Sequence, residues 1–148
     1  MLFRSHGIYP PLLMDRGLRE ALVAAANRSV LPADVEADVG RYPADMEAAV
    51  YFCCLEALQN AGKHAGEGAT IMIKVEADDH ELRFNVVDTG AGFDMNSGAV
   101  RGHGFVNMED RLGAIGGRLD VDSEPGIGTR IAGMIPLTVQ TEDRPAQS

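Results

Sequence analysis

Two alternating runs constrain this chain more than any other feature: Thr70-Ile-Met-Ile-Lys-Val-Glu and Leu82-Arg-Phe-Asn-Val-Val-Asp, on either side of Asp78-Asp79-His80. Period-two alternation is the pattern of a strand with one face buried and one face wet. A short polar interval between two such runs predicts a hairpin. A second pair, Arg118 to Ser123 and Gly128 to Pro136, is joined by the turn-forming Glu124-Pro125-Gly126-Ile127. Sequential hairpins make much of the sheet antiparallel and leave one face for helices to cover.

The helical segments fall around these strands. Pro43 stands where a first helical turn tolerates proline, and a helix is expected from there to about Ala65, with Val50, Cys53, Cys54, Ala57, Leu58 and Ala61 on one stripe. A helix is also expected from Pro11 to Arg28, where Leu12, Leu13, Leu18, Ala21, Leu22 and Ala25 recur at helical spacing. Ser29 to Arg41 reads as a turn and a short polar strand. Gly104 to Ile115 returns to helical spacing and stops at Gly116-Gly117, residues suited to a left-handed cap. The order helix, strand, helix, hairpin, loop, helix, hairpin predicts an α/β fold: a two-layer sandwich with a mixed, mostly antiparallel sheet and helices on one face.

Length and charge narrow the function. With 148 residues the chain fits one domain. A net charge of −9 argues against a nucleic-acid footprint, which needs a basic face. It does not exclude a phosphate ligand, because remote charges are screened within about 8 Å at physiological salt. The two cysteines are neighbours in a helical pattern, which is no disulfide framework and suits a reducing, cytoplasmic setting. No apolar run approaches the roughly 18 residues of a membrane span, so no membrane contact is expected. Three segments are expected: residues 1–10 as a junction remnant, 11–137 as the folded domain and 138–148 as a polar, disordered tail.

Four stretches carry the chemistry. In Glu56-Ala-Leu-Gln-Asn60-Ala-Gly-Lys63-His64, helical geometry brings Glu56, Asn60, Lys63 and His64 to one side. Glu and Asn offer the oxygens that magnesium prefers, and Lys a compact charge for phosphate; a solvated polar face would show the same spacing. Asp88-Thr-Gly90-Ala-Gly92-Phe-Asp94 follows an apolar strand, and its carboxylate could accept a hydrogen bond from an exocyclic amine. Its glycines let backbone come close to a ligand. They also exclude a calcium loop, which needs Asp or Asn at those places. Gly102-His103-Gly104 opens a predicted helix, where free amides and the helix dipole favour anions. It lacks the third glycine and the strand that a dinucleotide fingerprint requires. Thr89 to Gly102 reads as a mobile loop. Glu124-Pro-Gly126-Ile-Gly128-Thr129, taken alone, is a tight turn.

In this order, over about residues 45 to 137, the four stretches resemble the asparagine box and three glycine boxes of the GHKL ATPases, the Bergerat fold. Glu56 to Ala65 and Gly102-His-Gly-Phe-Val-Asn-Met-Glu-Asp-Arg111 resemble the forms found in bacterial sensor histidine kinases, especially those partnered with helix-turn-helix response regulators. Gly7-Ile-Tyr-Pro-Pro-Leu-Leu resembles that subgroup's junction between dimerisation helices and catalytic domain, and the short loop from Phe93 to Gly102 resembles its ATP lid.

The resemblance implies ATP and Mg2+ as cofactors. Asp88 would receive the adenine amine, with Gly90 and Gly92 in the turn beside the base and Thr129 in support. Asn60 and Glu56 would hold or place the metal, with Glu56 in the catalytic role of polarising a water. Lys63, His64, and the segment Gly102, His103 and Gly104 would meet the phosphates. Phosphoryl transfer depends mainly on positioning and charge neutralisation, so the domain needs no nucleophile of its own.

The acceptor would be a histidine on a separate dimerisation domain, with a response regulator as the indirect partner. None of the four histidines, His6, His64, His80 and His103, lies in a convincing acceptor helix. The resemblance therefore implies a monomeric catalytic domain, unable to autophosphorylate alone. Gln59 departs from the family's usual Thr before the box asparagine. A serine kinase of the anti-sigma-factor type shares the fold but has no use for the Gly7–Leu13 junction. A non-catalytic nucleotide-binding module would not need Glu56, Asn60 and Asp88 together.

Overall fold

The computed structural model describes residues 10–96 and 104–137. The expected tail, most of the junction remnant and much of the expected lid, with Gly102 and His103, lie outside the described residues.

Helix α1 spans Pro11–Arg16 and α2 spans Leu18–Asn27. The single helix expected over this segment is broken at Gly17, whose φ of 95° no helix allows. The side chain of Arg41 occupies the space beside it, and a Cβ on Gly17 would stand 2.8 Å from Arg41 Cδ. Strand β1, Ala33–Ala37, is the polar strand expected in the next segment. Helix α3, Ala44–His64, follows Pro43, and its 21 residues make a rod of about 32 Å.

The hairpin of β2 (Ile71–Ala77) and β3 (Glu81–Asp88) forms as expected, followed by α4 (Phe105–Gly113), β4 (Arg118–Glu124) and β5 (Gly128–Pro136). The sheet order is β1-β2-β3-β5-β4. Only β1 and β2 run parallel, because α3 carries the chain back between them; the other three pairs are antiparallel.

Alternation builds the core. Ile71, Ile73 and Val75 of β2, Leu82, Phe84 and Val86 of β3, and Ile131 and Ile135 of β5 are buried on one face, against the helices. Residues between them, such as Lys74 and Glu76, stay in water. Helix α3 contributes Val50, Cys53, Cys54, Ala57 and Ala61, each at most 2% exposed. At about 25 cal/mol per Å2 of apolar surface, such a stripe supplies more helix stability than intrinsic propensity does. Cys53 and Cys54 are unbridged. Burial pushes the Cys53 thiol up to about 12 and raises Cys54 too.

Among the described residues one charge is buried, and it is held by a clamp. Glu47, 2% exposed, receives Arg41 Nε at 3.0 Å and Nη2 at 3.2 Å, and the Tyr42 amide at 3.1 Å. Arg41 Nη2 also donates to the Met14 carbonyl at 2.9 Å. The orphan carbonyls at the end of α1 are thereby tied to the first turn of α3.

Candidate functional site

The end of β3 and the end of α3 meet at one pocket. Its walls are Ala57, Asn60, His64 and Ala65 from α3 and the residue after it, Val86 and Asp88 from β3, Gly92 and Phe93 from the following loop, Phe105 from α4, and Thr129 and Ile131 from β5. Five residues singled out in the sequence are thus brought together: Asn60, His64, Asp88, Gly92 and Thr129. The rest of the wall is apolar. The Phe93 and Phe105 rings stack across it with centroids 6.1 Å apart.

Asp88 is fixed in place. Its Oδ1 accepts the Gly90 amide at 2.9 Å, an Asx turn that leaves the second carboxylate oxygen for a ligand. Asp88 and Thr129 are register partners in the β3–β5 ladder. Opposed residues in an antiparallel pair project to the same face, so the carboxylate and the hydroxyl sit side by side.

The glycines after Asp88 are used for packing. A Cβ on Gly90 would lie 2.1 Å from Ala65 Cβ, and the next amide, Ala91, donates to the Ala65 carbonyl at 2.9 Å. Gly90 therefore docks the loop on the end of α3 and does not border the pocket. Gly92, at φ 65°, leaves no space for a side chain, since a Cβ would meet the Glu124 carbonyl oxygen at 2.1 Å. Gly128 likewise lies against the Asp88 carbonyl at 2.1 Å from its would-be Cβ. The last two contacts interlock the end of β3 and its loop with the turn between β4 and β5.

The helix ridge splits into two. At about 100° per residue, Ala57, Asn60 and His64 fall within an arc of about 60°, and all three face the pocket. Lys63 lies outside that arc and borders a different groove with Gln59 and Gly62, against Arg28 to Val30. Glu56 also falls outside that arc, about 20° from Lys63 and two turns earlier along the helix. Its Oε1 would come 3.0 Å from a Cβ on Gly104, whose φ of 76° begins α4 in the left-handed region. A side chain at 104 would crowd the carboxylate.

Among the described residues no three His, Cys, Asp or Glu side chains gather as a metal cage. Asn60 and Glu56 could offer side-chain oxygens to a magnesium ion, which prefers oxygen ligands.

The sequence reading missed the aromatic pair and Ser123. Ser123 is 6% exposed on edge strand β4, and its Oγ accepts the Phe93 amide at 2.9 Å. The Phe93 and Phe105 signal was available, as each stands just beside a glycine stretch. That of Ser123 was not, because its partners lie in another loop and another strand.

Residues 46–139, well over half of the chain, match the family described as histidine kinase-, DNA gyrase B- and HSP90-like ATPase. The chain belongs to this ATPase family. It carries the family's ATP-binding domain, with the mixed two-layer fold that the sequence predicts. Among curated relatives, it is 31% identical over 141 residues to the sensor histidine kinase MctS of Rhizobium johnstonii, covering 89% of this chain and 30% of that one. It is 32% identical over 100 residues to the histidine-protein kinase/phosphatase DegS of Brevibacillus brevis, covering 68% of this chain and 26% of that one. The chain thus spans under a third of the length of these relatives. Among solved structures, the blue-light activated histidine kinase of Erythrobacter litoralis EL346 superposes with a TM-score of 0.71 at 22% identity, over 85% of this chain and 42% of that chain. The catalytic domain of histidine kinase ThkA gives 0.62 at 18% identity, over 80% of this chain and 88% of that chain. Both share the fold. Among the described residues no helix is long and apolar enough to cross a membrane.

Proposed function

We propose that the pocket binds ATP with magnesium, and that the parent protein transfers the γ-phosphoryl group to a histidine on a separate dimerisation domain. The observation that carries this reading is the Asp88 carboxylate, pinned by Gly90 and set beside Thr129 at the end of an apolar slot. An adenine ring is flat, apolar on its faces and carries an exocyclic amine at one edge, so it suits that slot. Phe93 and Phe105 are placed to cover its face.

Asn60 and His64, one helical turn apart on the opposite wall, are assigned to the phosphate side. Asn60 supplies a neutral oxygen to magnesium, with Glu56 one turn earlier to orient a metal-bound or attacking oxygen. His64 is assigned to the phosphates together with Gly102, His103 and Gly104. Lys63 would reach phosphate only through its long stem, since it borders the neighbouring groove. When bound, magnesium neutralises charge on the transferring group; the protein's own task is to orient the nucleotide and exclude water.

The relatives named as sensor histidine kinases support a histidine acceptor over a serine and a response regulator downstream. A cytoplasmic position and a single copy of the isolated domain go with that reading.

Titration calorimetry with a non-hydrolysable ATP analogue and with GTP, each with and without magnesium, tests the proposal. Magnesium-dependent binding selective for adenine is the expected result. Absence of binding, or equal affinity for both bases, overturns it.

A further inference from the structure

The Ser123 hydroxyl meets three groups at once. Its Oγ is 2.9 Å from the Phe93 amide, 3.1 Å from the Gly128 carbonyl oxygen and 2.7 Å from Thr129 Oγ1. A serine hydroxyl has one proton and two lone pairs. The Phe93 amide can only donate, and the Gly128 carbonyl can only accept. One arrangement serves every group: Ser123 gives its proton to Gly128 and accepts from both Phe93 and Thr129. If Ser123 donated to Thr129 instead, its contact with the Gly128 carbonyl would contain no proton. Buried polar groups seldom forgo a partner within reach.

We infer that Ser123 is a specificity-setting positioning residue, because it draws the Thr129 proton inward and leaves only lone pairs of that hydroxyl facing the pocket. Thr129 then stands beside the Asp88 carboxylate as a second acceptor. Facing the substituent at C6, two neighbouring acceptors suit an amino group, which offers two protons, and repel an oxo group, which offers none. With Ser123 absent, the Thr129 hydroxyl turns freely and can donate, so an oxo base is no longer refused. Ser123 also holds the amide that places the Phe93 ring. One buried hydroxyl thereby ties the covering ring to the edge that reads the base. The inference rests on the nucleotide reading above and adds to it the origin of base selectivity.

The test compares the affinities of ATP and inosine triphosphate, which carries a 6-oxo group in place of the 6-amino group, with magnesium present. It uses the 148-residue chain, Ser123→Ala, Thr129→Val and the double variant. Loss of one neutral hydrogen-bonding preference predicts that the ratio of the two affinities falls about tenfold in Ser123→Ala. Thr129→Val lowers the ratio similarly, and the double variant lowers it no further, because Ser123 acts through Thr129. Ser123→Cys keeps the side-chain volume but loses the strong acceptor; it lowers the ratio too, and serves if the alanine variant does not fold. A purely structural role for Ser123 weakens both nucleotides together and leaves the ratio unchanged, which overturns the inference. Additive losses in the double variant overturn it as well. Failure of the unmodified chain to bind ATP is a different outcome: it removes the nucleotide reading itself.

Discussion

The Gly126 amide donates to the Ala91 carbonyl at 2.7 Å, which staples the turn between β4 and β5 to the loop that follows Asp88. Gly92 fits under this staple only because it has no side chain; its Cβ would lie 2.1 Å from the Glu124 carbonyl oxygen. Gly92→Ala is therefore expected to cost about 1–3 kcal/mol in strain and to weaken nucleotide binding, because the loop must lift from its seat. Gly126 also has a positive φ, 81°, but nothing lies within 4 Å of its Cβ position. Gly126→Ala should cost about 1 kcal/mol and leave affinity unchanged. Urea unfolding and calorimetry on both variants separate the two effects. Equal affinity losses would show that the staple does not shape the pocket.

Asp88→Asn should abolish adenine binding. The change keeps the shape but replaces a carboxylate oxygen with an amide, and one of the two positions is already committed to accepting from Gly90. If the remaining carbonyl oxygen turns to Gly90, an NH2 group faces the base amine, donor against donor. Equal ATP affinity in the variant and the unmodified chain, measured by calorimetry, would remove Asp88 from base recognition.

The clamp between Arg41 and Glu47 should respond asymmetrically to truncation. Glu47 is almost wholly buried, whereas the Arg41 side chain is 51% exposed. Arg41→Met leaves a buried carboxylate with the Tyr42 amide as its remaining donor in the clamp, and stability should fall steeply. Glu47→Leu leaves an arginine that can turn to water, and the loss should be smaller. The double variant should be more stable than Arg41→Met alone, since an apolar pair can replace a buried ionic one. Melting temperatures of the three variants decide the point; equal losses in both single variants would contradict it.

The β2–β3 hairpin should lose part of its stability in acid. Amides of His80 and Glu81 and the Arg83 guanidinium hold Asp78 at about 2, below the ordinary carboxylate range. A carboxyl whose pKa is lower in the folded state contributes stability that is complete above its unfolded value, about 4. That contribution declines as pH falls below 4 and is gone below about 2. Asp78→Asn should accordingly be less stable than the unmodified chain at pH 7, with the gap narrowing between pH 4 and pH 2. Denaturant midpoints across that range measure it, and a constant gap would exclude the mechanism.

How far each feature could be read in advance follows from how local its cause is. Both hairpins and α3 are written in period-two and period-3.6 patterns that no neighbour is needed to decode. Box order singled out Asn60, His64, Asp88, Gly92 and Thr129, which line one pocket. The break at Gly17 was hidden because the apolar stripe runs on through it, while Arg41, which fills the space beside it, lies far along the chain. Gly90 reads as freedom for a ligand until Ala65 is seen filling the space. Lys63 and His64 are sequence neighbours, yet about 100° of helical rotation sends them to different grooves. Tertiary contacts settle such cases, and spacing alone cannot.

The sheet is open at β1 and at β4, and both borders carry acid at alternate positions. Asp34 and Glu36 are exposed on one, Asp120, Asp122 and Glu124 on the other. An unpaired strand invites another chain to extend the ladder. A second copy approaching either border would set carboxylate rows against each other in register, and like charges directly opposite are unfavourable. Lys74 and Arg130 are bonded inward, at 3.9 Å to Glu36 and Asp120, so they temper the rows without reversing their sign. The carboxylates of Asp34, Glu36, Asp120, Asp122 and Glu124 thus guard both borders of the sheet against fibrous growth.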